Sequence, residues 1–540
     1  MLTRTLALAA FTALTPLAAH AQNVPAPIEQ TQLTGLDAWT VSAISRADGA
    51  LAPDLWSRSD PAFLAALLDR LPAVYESPAA QALARRVLLS GGEAPRGDAQ
   101  AAARKRFEAI GKMGAADPLA MMAAGAGGAL SDPVIAQYAA QAELARGRRA
   151  EACARGRNTT LGDAPPPFLL RLRAYCAAVG GDRAAADLAL ELARNQNAED
   201  AWYTGAVAAA GGAPGARPPA ARYDNSLAVQ LSLTGQLRPG PNPLANSSTL
   251  ALVTLARNDQ APHPQRAQAA ALAFRRGVLS AEETRTILRS TPAEVTSALP
   301  PLVTALRRVD AGATTPAAGA ASSLDPAVAI AEVLRTAASP ADFNAAARFF
   351  HDDIAALPSA PDAPAALLYA RAAISAGDVQ LGQRLVASAR QAGADEAALA
   401  PLDAALLALQ GPRGDNATVA LQRRIDAAGA SQRRAAARDV AILAALGAPI
   451  DGTVQSFLFA NAPQGGVRAD AGALLALAAA AERGATGEGA LLAVVAAGEG
   501  GPARLDAESV ERIIRALRTL RLDADARRFA AEALLAGAPS

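Results

Sequence analysis

Residues Tyr138–Arg194 read YAAQAELARGRRAEACARGRNTTLGDAPPPFLLRLRAYCAAVGGDRAAADLALELAR, and the punctuation of this stretch decides the fold. From Phe168 onward, Leu169, Leu172, Cys176 and Val179 recur at the spacing of one helix face. Arg171 and Arg173 are expected to point away from that face. Pro165 to Pro167 set the start, because a proline loses nothing at a helix N-terminus, where its missing N–H would have no partner. Gly180 and Gly181 end the helix, since glycine enters the left-handed conformation without a Cβ clash. Asp182 then caps a following helix whose predicted face is Ala185, Leu188 and Leu192. Two helices joined by so short a turn pack antiparallel as an αα-hairpin. Ahead of them, the residues up to Asn158 read as a short helix, a tight turn and another short helix.

The hairpin recurs. Ala365 to Ala389 carries Leu-Leu near its start, a Gly377-Asp378 turn, and Leu381 and Leu385 on a second helix. Val510 to Leu535 has Ile513, Ile514, Leu517 and Leu520, a turn at Leu522-Asp523, then Phe529 and Ala533, with Asp506 as the expected cap. Helical hairpins in series bury their apolar faces by stacking on neighbours. The Ala-x-x-Gly-Asp-x-x-x-Ala turn is similar to that of tetratricopeptide repeats, without a strict period or full consensus. The fold expected is all-α, an α-solenoid of TPR-like helical hairpins in two arrays.

Composition points the same way. Of 540 residues 51% are hydrophobic but only 4% aromatic, so the apolar share is mostly alanine, the strongest helix former. Residues 1–21, MLTRTLALAAFTALTPLAAHA, read as a secretory signal peptide cut between Ala21 and Gln22. The alternative, an uncleaved anchor, suffers from the interruptions at Thr12, Thr15 and Pro16. Residues 22–32 form a disordered leader and 33–212 an N-terminal set of helical hairpins. A Pro/Gly-rich break at 211–222 precedes a middle helical segment, 223–310, itself interrupted at 238–248. Residues 311–323 are the most linker-like stretch, and 324–540 form a C-terminal hairpin array. Export, with arginine replacing lysine everywhere except Lys105 and Lys112, points to the periplasm of a Gram-negative cell.

Charge excludes one class of partner. With 51 basic and 50 acidic residues the chain lacks the basic footprint of a nucleic-acid binder. Arginine clusters at 146–149, 307–308, 423–424 and 433–438 read as solvated helix faces, with a partner surface as the competing reading. Cys153 and Cys176 lie 23 residues apart, and in an exported chain a disulfide is the default. Closing a loop of that length stabilises by roughly 3 kcal/mol on the chain-entropy model. The alternatives are two buried free thiols or a catalytic thiol, the latter with no nearby histidine.

The search for catalytic groups is largely negative. His263 and His351 are the histidines beyond the leader; His351, beside Asp352 and Asp353, is expected on a helix surface rather than in a metal site or proton relay. No HExxH, CxxC, GxSxG or phosphate-binding loop occurs, so no catalytic, metal or cofactor residue is assigned. Trp39 and Trp56 read as packing anchors, with sugar-stacking platforms as the other option. An exported, alanine-rich superhelix resembles the non-catalytic horseshoe of soluble lytic transglycosylases, but their Glu-Ser followed by Gly-Leu-Met-Gln is missing. Glu76-Ser77 has no such partner, and no catalytic role is carried over.

Cys153, together with Leu172-Arg173-Ala174-Tyr175-Cys176 up to Gly181-Asp182, resembles a set of exported, uncharacterised Gram-negative helical proteins; that resemblance implies architecture without an activity. The function expected is a non-catalytic periplasmic scaffold or adaptor holding an envelope protein or peptide, with no nucleic acid and no integral membrane segment. A cell-wall or polysaccharide-processing enzyme and a self-associating structural envelope protein are the alternatives.

Overall fold

A computed structural model describes residues 37–537 apart from 128–130, 163–164, 197–199, 214–216, 296–298, 315–324 and 413. The described residues belong to one compact unit, Gly35–Ser540. The expected signal peptide, its expected cut between Ala21 and Gln22, the expected leader, and positions 315–323 of the expected linker lie outside them.

The described residues are all-α, with 27 α-helices and no strand. The first group is α1 (Pro61–Asp69), α2 (Pro78–Leu89), α3 (Gln100–Met113), α4 (Ala116–Gly125) and α5 (Pro133–Ala145). The stretch quoted at the outset continues with α6 (Arg149–Asn158), α7 (Pro167–Val179) and α8 (Arg183–Asn195). Then come α9 (Ala201–Ala210), α10 (Ser226–Thr234), α11 (Thr249–Arg257), α12 (His263–Arg275), α13 (Ala281–Arg289) and α14 (Pro301–Thr314). Beyond residue 324 lie α15 (Pro326–Arg335), α16 (Pro340–Phe349), α17 (His351–Ala356), α18 (Ala363–Ser375), α19 (Val379–Gln391) and α20 (Glu396–Gln410). The series ends with α21 (Gly414–Asp426), α22 (Arg433–Ala445), α23 (Gly452–Ala460), α24 (Ala471–Arg483), α25 (Thr486–Ala497), α26 (Ala507–Thr519) and α27 (Asp523–Leu535).

One turn builds several of the hairpins. After α7, Gly181 takes φ +81°, its N–H reaches Ala178 O at 3.1 Å, and Asp182 N–H reaches Ala177 O at 2.9 Å. Those bonds satisfy the carbonyls a helix end leaves open. Asp182 then accepts from Ala185 N at 2.9 Å and starts α8, so one residue ends one helix and caps the next. Gly377 and Asp378 repeat the device between α18 and α19. Between α26 and α27 the left-handed position falls to Arg521, at φ +59°, a conformation a side chain disfavours. Side-chain caps at Asp182, Asp378 and Asp506 each contribute about 1 kcal/mol. Ser280 caps α13, although Glu283 turns its carboxylate to Arg257 instead of back to the cap.

Two details differ from the sequence reading. On α8 the buried face is Ala186, Ala189 and Ala193, and Leu188 is 62% exposed. Methyl-sized residues let α8 lie close on α7, which pushes the leucines outward. Arg173 does not point into solvent: its guanidinium donates to Gly156 O at 2.6 Å and Thr159 O at 2.8 Å, tying down the end of α6. Arg171 stacks on the Tyr203 ring at 4.2 Å.

Two apolar clusters result. The smaller joins α5 to α10 through Leu144, Leu169, Leu172, Tyr175, Tyr203 and Leu231. The proline-rich breaks on either side of α10 meet there, Ala221 N–H donating to Arg238 O at 2.8 Å. The larger cluster runs through the remaining helices and brings the ends of the series together: α1 packs on α25, and α2 on both α25 and α27.

Candidate functional site

Five places in the molecule gather chemistry: a disulfide-closed lobe, a polar seam, two exposed apolar surfaces and a cavity. In the lobe, Cys153 on α6 and Cys176 on α7 are bonded, with 5.8 Å between their Cα atoms. Buried Glu143 on α5 accepts from Arg146 and from Arg155 of α6, each at 3.1 Å. Arg146 also reaches Asp117. This member of the 146–149 cluster is paired within the fold.

The seam lies where early helices meet late ones. Arg86 of α2 pairs with Asp525 of α27 at 2.9 Å, and Asp525 is 1% exposed. Glu532 of α27 accepts from Ala79 N at 2.9 Å, at the N-terminus of α2, and hydrogen-bonds Ser77. Glu488 of α25 pairs with Arg483 at 2.5 Å and accepts from Asp60 N at 3.4 Å. Desolvation raises all three carboxyls, Glu532 to about 7. Behind the seam, Arg106 of α3 is fully buried and donates to the carbonyls of Ala38, Trp39, Val41, Leu88 and Ser90. Trp39 and Trp56 flank it, each ring centroid 5.6 Å from its guanidinium carbon. Both tryptophans are buried, 4% and 0% exposed, so they pack and offer no face to a sugar. Trp56 in turn lies against Gly487 of α25, where an added Cβ would fall 2.7 Å from the ring.

The apolar surfaces lie on separate helices. On α8, Leu188 and Leu192 stand one turn apart and exposed, and α8 packs principally on α7. On α23, Phe459 is 95% exposed, and Val454 is the buried residue of that helix. Ile450, Val467 and Leu475 are exposed in the same part of the chain.

The cavity, about 330 Å³, opens between α20, α21 and α22 and the end of α27. Ala397, Pro401, Ala435 and Ala503 supply apolar wall, and Arg424, Arg438 and Asp439 the charge. In the 423–424 and 433–438 clusters Arg423, Arg433 and Arg434 are exposed, as the solvated reading expects, but Arg424 and Arg438 depart from it, with side chains 5% and 9% exposed. Arg424 Nε donates to Asp439 at 2.8 Å. Arg438 donates to Ala533 O at 2.8 Å and Leu505 O at 3.2 Å. Burial pushes the Asp439 carboxyl up and the Arg438 guanidinium down. Sequence reasoning missed this group because the hydropathy pattern of α21 and α22 marks arginine as outward; the one available signal was an Arg and an Asp fifteen residues apart on consecutive helices.

His351 opens α17, its Nδ1 3.0 Å from Asp352 and its Nε2 3.2 Å from Asp378, partly buried against the α18–α19 turn. His263 is exposed at the start of α12. Among the described residues no group of three or more His, Cys, Asp or Glu is placed to hold a metal ion, and no helix is long and apolar enough to cross a membrane. Ser77 caps α2, accepting from Ala80 N at 3.1 Å. No family model, curated protein or solved structure matches the chain.

Proposed function

We propose that the chain is a non-catalytic periplasmic scaffold, a series of TPR-like helical hairpins that holds an envelope protein or peptide. One observation carries this reading: the leucine pair of α8. Leu188 and Leu192 both face outward, one turn apart, on a helix with one principal neighbour, and the face that α8 buries is alanine. Stacked hairpins leave such a face where the next unit, or a partner, covers it. Leucines at i and i+4 suit an apolar helix face on the partner.

A photo-crosslinking residue at position 192, used in the exporting cell, identifies what covers the face. The partner so identified binds the purified protein, and Leu188→Glu with Leu192→Glu weakens that binding at least about tenfold. Because both positions are exposed, helicity and Tm stay unchanged. Equal binding by the double variant sinks the reading. So does release of muropeptides when the purified protein is incubated with peptidoglycan, which would return the cell-wall enzyme alternative.

Self-association is the second reading, favoured by the exposed Phe459 of α23. A strictly monomeric species in ultracentrifugation at high concentration removes it.

A further inference from the structure

Among the residues that line the cavity between α20, α21 and α22, guanidiniums outnumber carboxylates. Two guanidiniums, Arg424 and Arg438, share one carboxylate, Asp439. Arg438 is committed to the fold, its Nη atoms clipped to Ala533 O and Leu505 O. Arg424 is not. Its Nε is taken by Asp439, while among the described residues its two Nη atoms have no acceptor, although 95% of the side chain is covered and it lines the cavity. Four N–H donors are thus left without an acceptor at the cavity wall.

The N-terminus of α22, a 13-residue helix, forms part of the same wall through Gln432 and Ala435. Gln432 occupies the cap position without making a side-chain cap bond, so the first-turn N–H groups end in the mouth with the positive end of the helix dipole behind them. The nearest acids on α20 are occupied: Asp395 caps its own helix and Glu396 pairs with Arg390 at 2.8 Å.

We propose that this cavity binds a carboxylate, received by the free Nη groups of Arg424 at the N-terminus of α22. A carboxylate matches the planar fork of a guanidinium with two parallel hydrogen bonds. The alanine and proline walls and the volume of about 330 Å³, at the small end of ligand sites, suit a short aliphatic acid or the last residue of a peptide chain. Those are two sources of one chemistry.

Titration calorimetry on the purified chain separates them, using butyrate, Ala-Ala-Ala with a free C-terminus, the same tripeptide amidated, and inorganic phosphate as probes. Butyrate binding alone assigns a free acid; tripeptide binding at least about tenfold tighter than butyrate assigns a chain end, and the amide loses at least that factor. Ala435→Glu, at an exposed position, puts a competing carboxylate in the mouth and weakens binding about tenfold. Arg424→Met combined with Asp439→Asn removes the donor without stranding a buried charge and abolishes binding; should that pair fail to fold, Ala435→Glu decides. The proposal is overturned if neither acid binds at tens of millimolar, if amide and acid bind alike, if phosphate binds and the acids do not, or if the folded variants bind as the parent does.

Discussion

The α5–α10 lobe and the α1/α2–α25/α27 seam hold the same kind of helix together by opposite means. In the lobe, α5 packs on α10, but most contacts are between near neighbours in sequence: Glu143 gathers arginines 3 and 12 residues away, and a disulfide closes a 23-residue span. In the seam the partners are more than 400 residues apart, and three poorly hydrated carboxylates make the contacts. Local packing costs little loop entropy; distant packing costs more and here rests on groups whose ionisation burial opposes. The seam should therefore weaken as pH rises, and the lobe on reduction.

The largest effect should come from Arg106, which supports the seam from behind. Arg106→Leu leaves five backbone carbonyls without their donor and unseats both tryptophans, and should cost about 3–5 kcal/mol in chemical denaturation. Hydrogen exchange should rise first in α2 and α25. Protection lost in the lobe instead would erase the contrast.

Next comes the disulfide. Cys153→Ser with Cys176→Ser, or reduction, should cost roughly 3 kcal/mol. Faster exchange should be confined to α6 and α7, with the seam unaltered.

The smallest effect is pH dependence at the seam. Glu532, raised by desolvation from 4.5 to about 7, contributes stability that is fully present below about 4.5 and lost as pH climbs through 7. Asp525 and Glu488 are raised too and push in the same direction. The measured Tm should fall between pH 5 and 8. Glu532→Gln should flatten that slope and leave the pH 5 value nearly unchanged; an undiminished slope would assign the dependence to other groups.

The helices themselves were legible. The Gly180-Gly181-Asp182 and Gly377-Asp378 turns and the Asp506 cap involve residues within one helical turn of each other, so short-range chemistry settles them. Less legible was which side of a helix turns inward when most positions are alanine. On α8 the leucine stripe marked one face, and the close approach to α7 selected the alanine face beside it. The cavity was invisible for a related reason: Arg424 and Arg438 look like solvent-facing residues until two further elements, α27 and the Leu505 segment, cover them.

By itself the amino-acid order determined the all-helical class, the positions of the hairpin turns and the pair of cysteines able to bond, because each depends on contacts between near neighbours. Tertiary structure alone decided that the first helices lie against the last, that Arg106 is enclosed by carbonyls, and that an unmatched guanidinium lines a crevice. Those outcomes depend on which surfaces meet across hundreds of residues, and a run of alanine, whose small side chain fits against almost any partner, leaves that choice open.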